Sequence, residues 1–189
     1  MSEKPDPHPD RLAAAAALEM HGETEPAISA WEEVVAQPEP GENVARARKH
    51  LGNLYLHSGK LRRARKHLRE ACKLEPDCAS FWHDLSIVHY YLADFLSTVK
   101  CARKALDIDP DLKLARFWLA SALYHRGELD EAAKTFEALL ELYPNFTIAN
   151  FQLGVIHQRR GDLDKAEEQF RIVLLKNPED AAARHYLEL

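Results

Sequence analysis

The residues best suited to chemistry in this chain are ten histidines, three cysteines and a run of aspartates. Cys72, Cys78 and Cys101 have no zinc-ligand spacing, and an odd count gives no disulfide framework. Cys72 and Cys101 fall where a helix wants a small buried apolar side chain. His57 and His125 occupy one place of a recurring pattern, as do His89 and His157, so their spacing follows a period and does not converge on an ion. Asp107-Ile108-Asp109-Pro110-Asp111 imitates the start of a calcium loop. Its sixth and twelfth places, which need Gly and a bidentate Glu, hold Leu112 and Trp118. There is no glycine-rich phosphate loop, no Gly-x-Ser-x-Gly and no His-Glu-x-x-His. The expectation is a protein that is not an enzyme and needs no cofactor and no metal.

The period itself is the stronger signal. Leu119, Tyr124, Gly127, Ala132, Phe136 and Pro144 are answered 34 residues later by Leu153, Gln158, Gly161, Ala166, Phe170 and Pro178. Apolar residues at Leu119, Ala122 and Leu123 recur at helical spacing and stop at Gly127, a residue able to take the left-handed conformation that closes a helix. Asp130 is then placed to cap a second helix, Ala132, Phe136, Leu139 and Leu140 form its apolar stripe, and Pro144 ends it. One such pair cannot cover its own apolar face, so the copies must stack. Four closing prolines, Pro76, Pro110, Pro144 and Pro178, keep the register. In the third copy the turn carries Ala93 in place of Gly, and Thr98 replaces the small Ala of the second helix.

Composition agrees: 46% apolar and 29% charged residues in 189 describe a soluble chain able to bury a continuous core. No apolar run reaches the roughly 20 residues of a membrane span. Ala13 to Ala17 follow an acidic, proline-containing leader with no basic segment, unlike a secretory signal, so a cytoplasmic location and no membrane insertion are expected.

The pattern resembles the tetratricopeptide repeat: a large residue early in helix A, a small residue after Leu, Gly in the turn, then Ala, Phe or Leu, Ala and Pro in helix B. The resemblance implies an all-α fold, a right-handed α-solenoid of stacked antiparallel helix pairs with five repeats and a short C-terminal helix. Residues 1–9 read as a disordered arm and 10–189 as one domain. The repeats fall at about 8–44, 45–78, 79–112, 113–146 and 147–180, with a partial capping helix at 181–189. Repeat 1, with Gly22 as its turn, Pro26 in the first turn of helix B and Trp31 as the large helix-B residue, is the atypical terminal unit. Its Pro38, Pro40 and Gly41 lengthen the following loop.

In such arrays the A helices line a concave groove that takes a protein or peptide ligand. The resemblance places the partner-binding residues at Lys49, Asn53, His57, His83, Ile87, Tyr90, Tyr91, Phe117, Ser121, Tyr124, His125, Phe151, Val155 and Arg159. One end of this set is cationic and polar and the middle aromatic, and rings with polar tips suit binding surfaces. The chaperone-type carboxylate clamp is matched only by Lys49 and Asn53, because Asp84, Leu114 and Trp118 stand where it needs Asn, Lys and Arg. The function expected is a non-catalytic scaffold or adaptor. The alternatives are a structural unit that assembles through its ends, or polyanion binding through repeat 2.

Charge is unevenly spread. His8 to Val44 hold eight acids and one base, while repeat 2 holds ten bases, six of them between Lys60 and Lys66 or at Arg69, and three acids. Register pairing of Glu25, Glu32 and Glu33 with Arg62, Arg65 and Arg69 is the expected use of these charges. Nucleic acid is disfavoured because no aromatic residue interleaves the basic run. At the other end Leu174, Leu175, Tyr186, Leu187 and Leu189 are expected to leave apolar surface, suited to a homodimer through the C-terminal end.

Overall fold

The computed structural model describes residues 8–36 and 43–188. Among them are eleven helices and no strand: α1 His8–Met20, α2 Thr24–Val35, α3 Val44–His57, α4 Leu61–Leu74, α5 Ala79–Tyr91, α6 Phe95–Ile108, α7 Lys113–His125, α8 Leu129–Leu142, α9 Thr147–Arg160, α10 Leu163–Lys176 and α11 Ala181–Glu188. The expected alternation of A and B helices is therefore present. Residues 1–7 of the expected arm and the loop at 37–42 lie outside the described residues, whereas the last two positions of that arm, residues 8 and 9, belong to α1.

The helices gather into two compact units, one ending at Leu92 and the other beginning at Ala93. In the first, α1 packs on α2, α2 on α3, α3 on α4, and α5 on both α4 and α3. In the second, α6 packs on α7, α7 on α8, α8 on α9, α9 on α10 and α10 on α11, with α7 also touching α9.

Each turn between paired helices bends through one left-handed residue. Gly59, Gly127 and Gly161 have φ of 70°, 80° and 82°, and the same place in the first pair is Gly22 at 77°. The residue after each glycine donates back across the last turn, as Lys60 N does to Tyr55 O at 2.8 Å and Glu128 N to Leu123 O at 3.0 Å. Ala93 takes this conformation with a side chain, at φ 56°, and is the only non-glycine residue with positive φ among those described. Its helix has another stop-and-start device, since Asp94 accepts a hydrogen bond from Ser97 N at 3.1 Å. The cap expected at Asp130 is not made: Asp130 sits inside the first turn of α8 and pairs with Arg160 of α9 at 3.2 Å.

In two of the helix pairs a glycine of the A helix receives a large side chain from the B helix. A methyl group added at Gly52 would overlap Leu68 Cγ, and one at Gly154 would lie 2.7 Å from the Phe170 ring. Leu68 and Phe170 are fully buried, and so are Ala64, Ala132 and Ala166 at the close-approach place of the B helices. Side chains also tie repeat to repeat. Trp82 Nε1 donates to Pro76 O at 2.8 Å, and Arg116, at the same place one repeat later, donates to Pro110 O at 2.7 Å.

The C-terminal helix is better covered than its sequence implies. Tyr186 stacks on Phe170 with centroids 4.8 Å apart, and Leu174 and Leu187 pack with it against Ala166, Val173 and Ala183. Among the residues expected to form an apolar patch, Leu175 alone is strongly exposed, at 81%, while Leu189 lies outside the described residues. The short helix covers the last repeat because its ring and its Leu fall on the side that faces α10.

Candidate functional site

The A helices present residues spaced by four, so each face can be read as a column. On α3 these are Lys49, Asn53 and His57, and on α5 they are His83, Ile87, Tyr90 and Tyr91. Lys49, Asn53 and His83 meet at Asp84, a carboxylate only 9% exposed. Asn53 Nδ2 donates to Asp84 Oδ2 at 3.0 Å, Lys49 Nζ stands 3.7 Å from the same oxygen, and His83 Nδ1 lies 3.0 Å from Oδ1. An amide, an ammonium and an imidazole thus satisfy one buried anion. Three of the expected ligand-binding residues are in this way partners of Asp84. The remaining nitrogen of His83, Nε2, is buried with no hydrogen-bond partner among the described residues. His57 and Tyr91 are exposed, Ile87 and Tyr90 half-buried, and the two tyrosine rings meet edge to face at 6.1 Å.

In the second unit the columns run along α7 and α9. Phe117 contacts the rings of Phe136, Phe146 and Trp118 within 6 Å, which makes it chiefly a packing residue. Ser121 is buried. Phe151 lies 5.6 Å from both Phe170 and Tyr186, and Val155 packs against the same cluster. Towards the helix ends the rings become accessible. The Arg159 guanidinium sits over the Tyr124 ring at 4.9 Å, and His125 stacks on Phe95 at 4.7 Å. Burial, reinforced by Arg159, holds the His125 imidazole below its usual range, so the ring is neutral near pH 7.

The expected set omitted two residues that the structure exposes. Leu114 on α7 and Ile148 on α9, the second place of consecutive repeats, are 44% and 50% exposed. Ile148 and Phe151 also line a cleft completed by Val173, Lys176 and Ala182. The signal was available: both are large apolar residues one turn before Phe117 and Phe151, where an A helix has no core to enter.

Glu25 and Glu32 take partners other than the arginines expected for them. Glu25 pairs with Lys60 at 2.8 Å, Glu32 accepts a hydrogen bond from the Tyr55 hydroxyl, and Glu19 pairs with His50 and Trp31 Nε1. Among the described residues no ion pair joins Arg62, Arg65 or Arg69 to Glu25 or Glu32. Nor do the described residues contain a group of three or more potential metal ligands, or a helix long and apolar enough to cross a membrane.

Helix pairs closed by a left-handed residue, repeated at a fixed period and joined through small-to-large packing, form a helical-repeat architecture. One tetratricopeptide repeat family model matches residues 83–145 and 151–187, and a second matches 45–88. The chain belongs to the tetratricopeptide repeat family. No curated protein matches it at a significant level. Among solved structures it is similar to YrrB, a TPR protein with an unusual peptide-binding site, at 22% identity over 95% of this chain and 91% of that one, TM-score 0.83. It is also similar to MamA from Desulfovibrio magneticus RS-1, at 18% identity over 93% and 98%, TM-score 0.84. A third is a thermophilic TPR protein of Thermus thermophilus, TTC0263, at 18% over 96% and 97%, TM-score 0.67. At these identities the likeness establishes the fold.

Proposed function

We propose that this protein is a non-catalytic interaction module that binds a segment of another protein along its A-helix faces, with α7 and α9 supplying the apolar contacts. The observation that carries this reading is the exposure of Leu114 and Ile148 at equivalent places of two neighbouring A helices. They are backed by the anchored rings of Phe117 and Phe151. Rigid rings and branched side chains contribute contact area at small entropy cost, which is what a peptide groove needs. Tyr124 and Arg159 add a polar end to that surface. YrrB, a protein of the same fold, has a peptide-binding site, which supports a peptide as the class of ligand. The His83–Asp84 pair offers no accessible base to a substrate, because Nε2 of His83 is buried.

A displayed peptide library selected on the intact chain tests the reading. A recovered peptide should bind Leu114→Asp/Ile148→Asp at least tenfold more weakly, with unchanged melting, and its affinity should vary little with salt. Equal binding to both proteins would move the site to another face.

A further inference from the structure

Helix α4 carries a surface that the A-helix reading does not use. Ala64, Leu68, Ala71 and Cys72 are its buried side. On the other side Arg62, Arg65, Lys66, Arg69 and Lys73 line a cleft in which Glu70 is the single acid. Glu70 is already engaged by Lys73 Nζ at 2.7 Å. Arg62, Arg65, Lys66 and Arg69 form no ion pair among the described residues. Two neighbours register the surplus positive charge. The Lys73 hydrogen bond, aided by Arg48 and Arg69, holds the Glu70 carboxyl below its usual range. Burial, then Arg48 and Lys66, pulls the His67 imidazole down.

We propose that this stripe is a docking surface for an acidic segment of a partner protein, with carboxylates one helical turn apart meeting Arg62, Arg65 or Lys66, Arg69 and Lys73. From residue 62 to residue 73 the helix rises about 16 Å, so the four cationic places stand one turn of about 5.4 Å apart over three turns, the spacing at which a second helix presents acids at every third or fourth position. Guanidinium groups pair with carboxylates through two parallel hydrogen bonds, which favours Arg at three of these places. Nucleic acid fits less well. The ring nearest the stripe, His67, is turned onto Tyr55 with centroids 5.5 Å apart, so no platform is left for bases. The field is also narrow. Glu25 reaches Lys60 at the start of α4, Glu32 and Glu33 lie on the same acidic helix, and the whole chain carries a net charge of −5, which opposes a long polyanion.

The test is fluorescence anisotropy on the full chain with a labelled peptide of roughly 15 residues bearing Glu pairs one turn apart, beside single-stranded oligothymidylate and a short DNA duplex. The peptide should bind at low salt and weaken steeply as salt rises. Arg62→Gln/Arg65→Gln/Arg69→Gln should lose at least tenfold in affinity. Lys100→Gln/Lys104→Gln/Lys134→Gln, which removes the same charge elsewhere, should keep it. Photo-crosslinking of the peptide to the unaltered chain should mark α4, so the result does not depend on the variant folding. The proposal is overturned by no peptide binding at low salt, by equal losses in the two triple variants, by crosslinks outside α4, or by tighter binding of either oligonucleotide.

Discussion

Asn53 and Asp84, 31 residues apart on neighbouring A helices, are joined by a 3.0 Å hydrogen bond from the amide to the carboxylate. The bond spans one repeat and turns two polar groove positions into a structural tie. Replacing Asp84 by Ala would strand the Asn53 amide and Lys49, and a lost buried acceptor costs about 1–3 kcal/mol. Urea or thermal unfolding of Asp84→Ala should show that loss, with Asp84→Asn intermediate. A variant as stable as the parent would mean that water replaces the tie at no cost.

The glycines inside the A helices allow a second expectation. Gly52→Ala and Gly154→Ala introduce methyl groups within 3 Å of Leu68 and Phe170. Helix propensity favours Ala by up to about 1 kcal/mol, but overpacking a closed contact costs about 1–3 kcal/mol. Both variants should therefore melt lower than the parent. The pairing Gly52→Ala with Leu68→Ala should recover part of the loss to clash, which a melting series on the single and double variants would read.

Ala93 gives the opposite sign. A left-handed Ala costs about 1–2 kcal/mol relative to a right-handed one, and Gly gives back about 0.5–1 kcal/mol of that through its unfolded-state freedom. Ala93→Gly should stabilise the turn and raise Tm by roughly 2–4 °C for each kcal/mol gained. A lower Tm would show that the Ala93 methyl contributes packing greater than its strain.

His67 predicts an acid limb. Its folded imidazole is held below the ordinary value by burial first and by Arg48 and Lys66 next, and His125 is shifted the same way. As pH falls through about 6.5 the unfolded chain takes up protons that the folded chain resists, so stability falls with falling pH. His67→Phe, which keeps a ring against Tyr55, should have a shallower Tm decline between about pH 7.5 and pH 5 than the parent. Identical slopes would remove His67 from the account.

The period was legible because the residues that mark it are those with no substitute. Proline cannot continue a helix and glycine alone enters the left-handed region freely, so Pro76 to Pro178 and Gly59 to Gly161 announce the boundaries, the turn at Ala93 excepted. Side-chain partnerships were less legible. Glu25, Glu32 and Arg62 lie on the helices anticipated, yet the pairs made are Glu25 with Lys60 and Glu32 with Tyr55. Residue spacing along one helix says which side a group faces, while its rotation against the next helix decides what it reaches.

The groove list shows the same limit. Lys49, Asn53 and His83 were read as ligand contacts, and their convergence on Asp84 could not be seen without the distance between α3 and α5. Repeat position puts Phe117 and Phe151 in the groove, but their rings fill the unit while Leu114 and Ile148 are exposed. At the C-terminus, Leu174, Tyr186 and Leu187, expected as exposed surface, pack where α11 meets α10, while Leu175 is exposed as expected.

The turns with a left-handed residue also bear on how the chain is made. Gly59, Gly127 and Gly161 each close a hydrogen-bonded ring within six residues, and the Lys60–Glu25 bond that ties one repeat to the one before spans only 35. Each hairpin of helices can therefore form as soon as it leaves the ribosome, without waiting for a distant strand or the opposite end of the polypeptide. Synthesis from the N-terminus then adds repeats to a surface that is already built, which keeps the unpaired apolar face of a nascent chain to the width of one helix pair.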